Sequence, residues 1–199
     1  MAIPIEQVKE LREQTGAGVL DCRKALEQAN GDFDKAVAYL REKGLAKAAK
    51  RAERETSEGM IELYSHGNGR VGVMVEVNCE TDFVARSQAF RTLAHEIALQ
   101  IAAGSPLYVR PEDVPAEIKE QQRQQALVQA QGKPEKVVEK IIQGRLDKFY
   151  NEVCLLRQPY IRDENITIEL LISQSIGSIG ENIVVRRFAR WEVGETAEA

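Results

Sequence analysis

The strongest constraint on the fold is a pair of β-rich runs, residues 59–64 and 71–78, which flank the glycine-rich segment SHGNGR. Two such runs around a glycine-rich turn predict a β-hairpin. In the second run, successive side chains point to opposite faces of the strand. One face carries Val71, Val73, Val75 and Val77, and the other carries Gly72, Met74, Glu76 and Asn78. We therefore expect a sheet whose valine face belongs to a core.

Residues 4–43 predict three short helices. Pro4 suits the first turn of the first helix, and the flexible segment TGAG interrupts the pattern. The second helix begins near Val19 or Leu20 and stops at the dipeptide NG, and Asp32 is the expected N-cap of the third, which precedes Gly44. The apolar positions recur at helical spacing and are Ile5, Val8, Leu11, Cys22, Ala25, Leu26, Ala29, Phe33, Ala36, Val37 and Leu40.

The segment LAKAAKRAERE, residues 45–55, is rich in alanine and charge and has hardly any large apolar residue. This composition indicates a helical or semi-flexible linker. Its basic residues, which could contact RNA, are Lys47, Lys50, Arg51 and Arg54. Because no aromatic residue is interleaved with them, the pattern favours a solvated helix face over an RNA-binding surface.

Two further helical regions follow the β-hairpin. Ser87 is a candidate N-cap for a helix that ends at Gly104, with one apolar face formed by Phe90, Leu93, Ala94, Ile97, Ala98 and Ile101. Residues 116–131 are polar and rich in glutamine, and GKP offers a helix stop followed by a helix start. The next helix has a coiled-coil-like seam of Val138, Ile142, Leu146, Phe149 and Val153. We expect an antiparallel helical hairpin that projects from the body.

Residues 166–173 and 182–193 are strand-like and would complete a small antiparallel sheet with the β-hairpin. The pattern predicts an α+β protein in which this sheet packs with helices. The expected domains are a helical module at 1–44, a linker at 45–55, a core at 56–115 and 156–195, a helical hairpin at 116–155 inserted in the core, and a disordered tail at 196–199.

Composition excludes several classes of protein. No stretch approaches the ~18 to 20 apolar residues that cross a bilayer, and the N-terminus lacks the pattern of a secretory signal, so we expect a cytoplasmic protein. The three cysteines, Cys22, Cys79 and Cys154, are widely spaced and are expected to be reduced thiols. A net charge of −4 without a strongly basic segment argues against nucleic acid or a membrane as the main partner.

Residues that could support catalysis are sparse. The chain contains no phosphate-binding motif of the GxxxxGK[ST] type, and its two histidines are His66 and His95. His66 falls in the hairpin turn, and His95 lies opposite the apolar stripe of its helix, so both are expected at the surface. The sequence thus predicts no enzyme activity, no metal site and no cofactor.

The segment NCETDFVARS, residues 78–87, places a carboxylate beside an aromatic side chain where a strand gives way to a helix. In one interpretation Thr81 or Asp82 caps the following turn and Phe83 serves as its hydrophobic staple. In the other, the segment protrudes, Phe83 is an anchor for a pocket on a partner, and Asp82 reaches a cationic or metal-bound site there. The pattern alone leaves both interpretations open.

Two stretches resemble the signature motifs of the elongation factor Ts family, the guanine-nucleotide exchange factors of bacterial translation. They are LREQTGAGVLDCRKAL, residues 11–26, and EVNCETDFVAR, residues 76–86. The similarity extends through GKPEKVVEKIIQGRLDKFYNEVCLL and IGENIVVRRF and covers residues 3–194. Arg23 departs from the pattern, since the family more often has lysine there.

The resemblance implies a ubiquitin-associated-like helical module at the N-terminus and a non-enzymatic exchange factor whose partner is elongation factor Tu, in GDP-bound and nucleotide-free forms. The segment expected to disturb the partner's magnesium site consists of Thr81, Asp82, Phe83 and Val84. The residues expected to bind the partner from the helical module are Val19, Leu20 and Arg23. A single β-hairpin followed by a helix indicates the short form of the factor, and a homodimer is a hypothesis for this form.

Overall fold

The computed structural model describes residues 3–195, so the tail predicted at 196–199 lies outside the described residues. Helices and a small antiparallel sheet confirm the expected α+β class. The chain forms two compact units. The first contains the described residues up to Glu62, Glu76–Glu96 and Leu170–Arg186, and the second contains Leu63–Val75, Ile97–Glu169 and the described residues from Arg187 onward. The finer division into domains stays a prediction.

The N-terminal part of the first unit contains the three predicted helices: α1 (Ile5–Thr15), α2 (Val19–Gln28) and α3 (Phe33–Ala49). Asp32 caps α3, as expected, because its side chain accepts a hydrogen bond of 3.1 Å from the backbone N–H of Lys35. The buried core of this module consists of Val8, Leu11, Cys22, Ala25, Leu26, Ala36 and Leu40. Ile5 belongs to the predicted apolar pattern but is exposed.

Gly44 does not end α3, which continues to Ala49 and includes the first part of the predicted linker. Gly44 is buried, and a Cβ atom built on it would lie 3.8 Å from Cα of Gln174. In turn, a Cβ atom on Gly177 would lie only 3.0 Å from Cα of Gly44. The glycine at position 44 therefore permits close packing against residues 173–177, a role that depends on a distant segment and not on the helix end.

The predicted hairpin is present as β1 (Glu58–His66) and β2 (Val71–Cys79). Together with β5 (Ile183–Glu192) these strands form a three-stranded sheet in the order β1-β2-β5. Val73, Val75 and Val77 are buried, as the alternation predicts, while Val71 is half-buried near the turn. The prediction of a core-facing valine face is thus correct.

After β2 the chain forms a one-turn helix, α4 (Asp82–Arg86), and then the longer α5 (Gln88–Gly104). Oγ of Ser87 accepts a hydrogen bond of 3.3 Å from the backbone N–H of Phe90, which agrees with its expected capping role. The predicted apolar face of α5 is buried at all six positions: Phe90, Leu93, Ala94, Ile97, Ala98 and Ile101.

The predicted helical hairpin consists of α6 (Ala116–Gln129) and α7 (Glu135–Val153), which pack against each other. Nε of Arg145 donates a hydrogen bond of 3.2 Å to Oε1 of Gln122 across the pair. The seam residues are half-buried, as expected of two helices with solvent on the outer faces; they are Val138, Ile142, Leu146, Phe149 and Val153.

The prediction of a strand at 166–173 is wrong for most of its length. A short strand, β4 (Asp163–Thr167), pairs with β3 (Pro159–Tyr160), and helix α8 (Ile168–Ile179) begins directly after it. Ile168, Ile172 and Ile176 are all buried at four-residue spacing. The β-branched residues suggest a strand locally, but the spacing of the buried isoleucines follows a helix because the core lies on one side.

A buried amide pair organises part of the second unit. Nε2 of Gln100 donates to Oε1 of Gln158 at 3.1 Å, and Nε2 of Gln158 donates to the carbonyls of Gly104 and Glu152 at 2.9 and 3.0 Å. Burying an amide without partners is costly, so this network ties the end of α5 to the end of α7. Within residues 3–195, every helix is too short or too polar to cross a membrane.

Gly59 provides a test of the sheet packing. Its φ is +150°, and a Cβ atom there would lie 2.2 Å from the carbonyl oxygen of Val77 and 2.7 Å from Cα of Asn78. Because a backbone clash cannot be relieved by a side-chain rotation, we expect Gly59→Ala to lower the free energy of unfolding by about 2 kcal/mol. Urea denaturation measures this change.

The matched control is Gly72→Ala in β2, where a Cβ atom would meet no other atom within 4 Å. This substitution should leave the unfolding midpoint nearly unchanged. Equal stability of the two variants would contradict the proposed clash.

Candidate functional site

The TDFV segment forms the start of α4, and Thr81 is its N-cap. Thr81 has an extended backbone, with φ of −130° and ψ of 153°, and its Oγ1 accepts a hydrogen bond of 3.4 Å from the backbone N–H of Val84. The structure therefore assigns the cap to Thr81 and places Asp82 inside the helix. A helix of only five residues is not stable by itself, so other contacts must fix this segment.

Phe83 is not the hydrophobic staple of the capped-turn interpretation, because 84% of its surface is exposed. The neighbouring Ala85 is buried, and Val84 is half-buried. The helix thus turns its small residue inward and its aromatic ring outward. Burying a phenylalanine side chain contributes about 1.5 to 3 kcal/mol, a stabilisation that this ring does not obtain within the described chain.

Asp82 lies next to the exposed ring and forms an ion pair with Arg86 one turn later, with 2.9 Å between Oδ2 of Asp82 and Nη2 of Arg86. The side chain of Arg86 is 76% exposed, and that of Asp82 is 48% exposed. Surface pairs of this kind contribute about 0.2 to 1 kcal/mol, so the carboxylate can exchange Arg86 for another partner at small cost.

Glu181, in the loop after α8, holds the backbone that precedes α4. Its Oε2 accepts hydrogen bonds from the backbone N–H groups of Glu80 and Thr81, at 3.1 and 3.0 Å. Its Oε1 accepts a hydrogen bond of 2.6 Å from Oγ1 of Thr81. One carboxylate thus fixes both the backbone and the capping side chain of the TDFV segment.

Glu80 makes the reciprocal connection. Its Oε1 accepts a hydrogen bond of 2.7 Å from the backbone N–H of Asn182, and its carboxylate lies 3.3 Å from Nη1 of Arg54. The hydrogen bond from the Asn182 N–H, together with the charge of Arg54, lowers the pKa of the Glu80 carboxyl below its ordinary value. The side chain of Asn182 is 3% exposed and donates to the carbonyl of Arg54 at 2.9 Å.

Glu80, Glu181 and Asn182 are not among the functional candidates that the sequence predicts. Glu181 and Asn182 lie within the IGENIVVRRF stretch, about one hundred residues after the TDFV segment. Their spacing along the chain gives no indication of contact. Glu80 and Glu181 each lie close to the end of a predicted strand, which is a weak local signal and does not show that the two residues meet.

The module residues Val19, Leu20 and Arg23 lie in the first turns of α2. Val19 is 52% exposed and Leu20 is 74% exposed, so the apolar start of this helix faces solvent. Nε of Arg23 lies 3.0 Å from Oε1 of Glu27, in an exposed pair. Val19 is therefore not one of the buried residues of α2, which are Cys22, Ala25 and Leu26.

Asp21 anchors this surface to the rest of the module. Its two carboxylate oxygens lie 2.7 Å from Nζ of Lys43 and 3.1 Å from Nζ of Lys47, both on α3. These hydrogen bonds lower the pKa of the Asp21 carboxyl below its usual value. Two of the basic residues considered for RNA contact, Lys47 and Arg54, thus pair with carboxylates of the protein itself.

The two histidines lie at the protein surface, and the three cysteines are buried. His66 and His95 are exposed, as expected, and Nδ1 of His95 lies 3.0 Å from Oε1 of Glu62. All three cysteines are buried and free, and burial raises the pKa of Cys79 and of Cys154 to about 11. At neutral pH these thiols are therefore protonated. Across residues 3–195, no group of three or more His, Cys, Asp or Glu side chains has an arrangement that could hold a metal ion.

The fold and the site define an α+β protein with a helical N-terminal module and an aromatic side chain presented to solvent on an anchored turn. The sequence model of the family described as Elongation factor TS matches residues 5–195. The chain belongs to the elongation factor Ts family, and its role is that of a translation elongation factor.

Individual relatives are similar over nearly their whole length. Elongation factor Ts of Moorella thermoacetica is 58% identical over 195 residues, which cover 97% of this chain and 96% of the relative. Elongation factor Ts of Carboxydothermus hydrogenoformans is 56% identical, with coverage of 97% and 90%. That of Caldanaerobacter subterraneus subsp. tengcongensis is 55% identical, with coverage of 98% and 99%.

Proposed function

We propose that this protein is a guanine-nucleotide exchange factor that binds elongation factor Tu in its GDP-bound form and promotes release of GDP. The observation that carries this proposal is Phe83, which is 84% exposed on a turn that hydrogen bonds hold in place. The segment Thr81–Val84 is the part of the chain that enters the partner near its nucleotide. Membership in the elongation factor Ts family supports this assignment.

The aromatic ring acts as a wedge. An exposed phenylalanine gains about 1.5 to 3 kcal/mol when it enters an apolar pocket. If the pocket exists only when helices of the partner have moved apart, this energy favours the open arrangement over the closed one. Phe83 therefore stabilises a form of the partner that holds GDP weakly.

Asp82 acts on the magnesium ion of the partner. Mg²⁺ requires near-ideal octahedral geometry and bridges protein groups to the phosphates of a bound nucleotide. The Asp82 carboxylate, if it entered beside this ion, would disturb the groups and waters that orient it. Because Arg86 holds Asp82 only by a surface ion pair, the carboxylate is available for this contact.

The exchange reaction follows from coupling between two binding sites. If the factor weakens the binding of GDP, then GDP weakens the binding of the factor by the same ratio. The nucleotide-free complex is consequently the tightest one, and a new nucleotide releases the factor. We infer that the protein forms and breaks no covalent bond, that it needs no cofactor of its own, and that it acts in the cytoplasm.

The N-terminal module provides a second contact. Val19 and Leu20 present apolar surface at the start of α2, and Arg23 presents a charge on the same helix. Asp21 fixes α2 against α3 through Lys43 and Lys47, so these side chains project from a supported helix. We propose that the three residues bind the nucleotide domain of elongation factor Tu.

The short form of the factor suggests that a second copy of the chain completes the assembly. Support comes from the second unit, where Leu63, Met74 and Trp191 line an apolar concavity of about 330 Å³. The indole of Trp191 is 76% exposed, and patches of this kind on a soluble protein mark interaction sites. We propose that the occupant is the same face of another copy, because a two-fold interface is self-complementary.

The central prediction concerns Phe83. We expect Phe83→Ala to slow factor-stimulated release of GDP by about tenfold or more, because the wedge contributes its free energy only in the open form. Stopped-flow release of fluorescent GDP from purified elongation factor Tu, in magnesium-containing buffer, measures the effect. Leu107→Ala, which also removes an exposed apolar side chain, is the matched control and should leave release unchanged. Wild-type release with Phe83→Ala would exclude the wedge.

A different result is expected for Arg23→Glu. Reversal of an exposed charge on α2 should raise the dissociation constant for elongation factor Tu about tenfold and change the maximal release rate much less, because the charge acts at a distance from the nucleotide. Isothermal titration calorimetry gives the dissociation constant. Lys24→Glu, the next basic residue on α2, serves as the control for charge reversal. An unaltered constant would remove Arg23 from the interface.

Self-association is tested by light scattering. We expect the protein to scatter as a species of about twice 22.3 kDa at micromolar concentration, and Trp191→Arg to scatter as a single chain, because a buried unpaired charge opposes association. Leu107→Arg controls for a new charge on an exposed apolar position. A monodisperse 22.3 kDa species in the unmodified protein would rule out the dimer.

A further inference from the structure

The turn that presents Phe83 is connected to the loop after α8 by two glutamates that bond in opposite directions. Glu181 accepts hydrogen bonds from the N–H groups of Glu80 and Thr81 and from the hydroxyl of Thr81. Glu80 accepts a hydrogen bond from the N–H of Asn182. We call this set of contacts the glutamate clasp; it consists of Glu80, Thr81, Glu181 and Asn182.

Residues 52–54 form a third segment that contacts the glutamate clasp. The amide of Asn182 is buried and donates to the carbonyls of Arg54 and Ala52, at 2.9 and 3.4 Å. Nη1 of Arg54 lies 3.3 Å from the carboxylate of Glu80. Three stretches of chain that are far apart in sequence therefore meet at the base of α4.

Thr81 transmits this arrangement to the aromatic ring. Its hydroxyl donates to Glu181 and accepts from the N–H of Val84, so the same oxygen joins the clasp to the first turn of α4. Phe83 lies within that turn. A one-turn helix has no stability of its own, and the direction of the ring consequently depends on the position of Thr81.

We propose that Glu181 is a positioning residue for nucleotide exchange: its carboxylate fixes Thr81 and thereby holds Phe83 in the direction in which it enters the partner. This inference rests on the proposed function. A wedge that is ordered before it enters the nucleotide site of the partner loses less entropy in that step than a mobile one, so the gain appears in the maximal rate. Small misplacement of a group that must reach a defined position lowers rates steeply.

Two substitutions at position 181 separate geometry from charge. Glutamine keeps the shape: its carbonyl oxygen can accept from the two N–H groups, and its amide can donate to Oγ1 of Thr81. Alanine removes all three hydrogen bonds. We expect Glu181→Ala to lower the maximal rate of GDP release about tenfold and Glu181→Gln to lower it less than threefold. The concentration of factor at half-maximal rate should change less than threefold in both.

A double-mutant cycle identifies the route of the effect. If Glu181 acts through Phe83, then Glu181→Ala should slow release in the unmodified protein and have no further effect in the Phe83→Ala background. The experiment uses full-length protein and elongation factor Tu loaded with fluorescent GDP. Glu53→Ala removes an exposed glutamate of the first unit and is the matched control.

Circular dichroism establishes whether each variant is folded. If Glu181→Ala does not fold, Glu181→Asp replaces it, since aspartate keeps the charge and withdraws the carboxylate from Thr81 by one methylene group. Glu181→Asp should then show the loss of maximal rate, and Glu181→Gln, which keeps the length of the side chain, should retain most of the rate.

The outcomes distinguish this inference from the function on which it rests. Normal release with Phe83→Ala would overturn the proposed wedge and the inference together. Slow release with Phe83→Ala but normal release with Glu181→Ala would overturn the inference alone. Equal losses with alanine and glutamine would assign the effect to charge, and additive losses in the cycle would place Glu181 on a route separate from Phe83; either result overturns the positioning role.

Discussion

The contact on which the proposed site depends is the carboxylate of Glu181 against the N–H groups that precede α4. Without it, a five-residue helix with an exposed aromatic ring would have little to hold it in one conformation. Hydrogen bonds to charged groups are stronger than neutral ones, and this carboxylate accepts three of them. The chain can therefore expose Phe83 and still keep it in a defined direction.

Local patterns were sufficient to predict most of the fold. The valines of β2, the apolar face of α5 and the cap at Asp32 follow rules that involve only neighbouring residues. The failures have nonlocal causes. The local pattern predicts a helix end at Gly44, because the packing partner Gly177 is remote in sequence. It predicts a strand at the start of α8, because the core, and not the local pattern, decides which isoleucines are buried.

The candidate site also contains residues that local patterns predict and residues whose role depends on distant parts of the chain. The two motifs indicated the residues expected to meet a partner, and the structure adds that Phe83 and Leu20 are exposed. The supporting residues Glu80, Glu181 and Asn182 could not be found from spacing, because the hydrogen bonds join positions about one hundred residues apart. A motif indicates which apolar side chains meet a partner. The groups that hold those side chains in place become visible only in the three-dimensional structure.

The contact between Gly44 and Gly177 has a mechanical consequence. The two backbones are in contact without side chains between them and have no room for closer approach. We call this crossing the joint. On one side of the joint, α3 carries the lysines that hold Asp21 of α2. On the other, α8 ends two residues before Glu181. The crossing of Gly44 and Gly177 thus connects the helix that supports α2 to the helix that leads to Glu181, with no side chain between the two backbones.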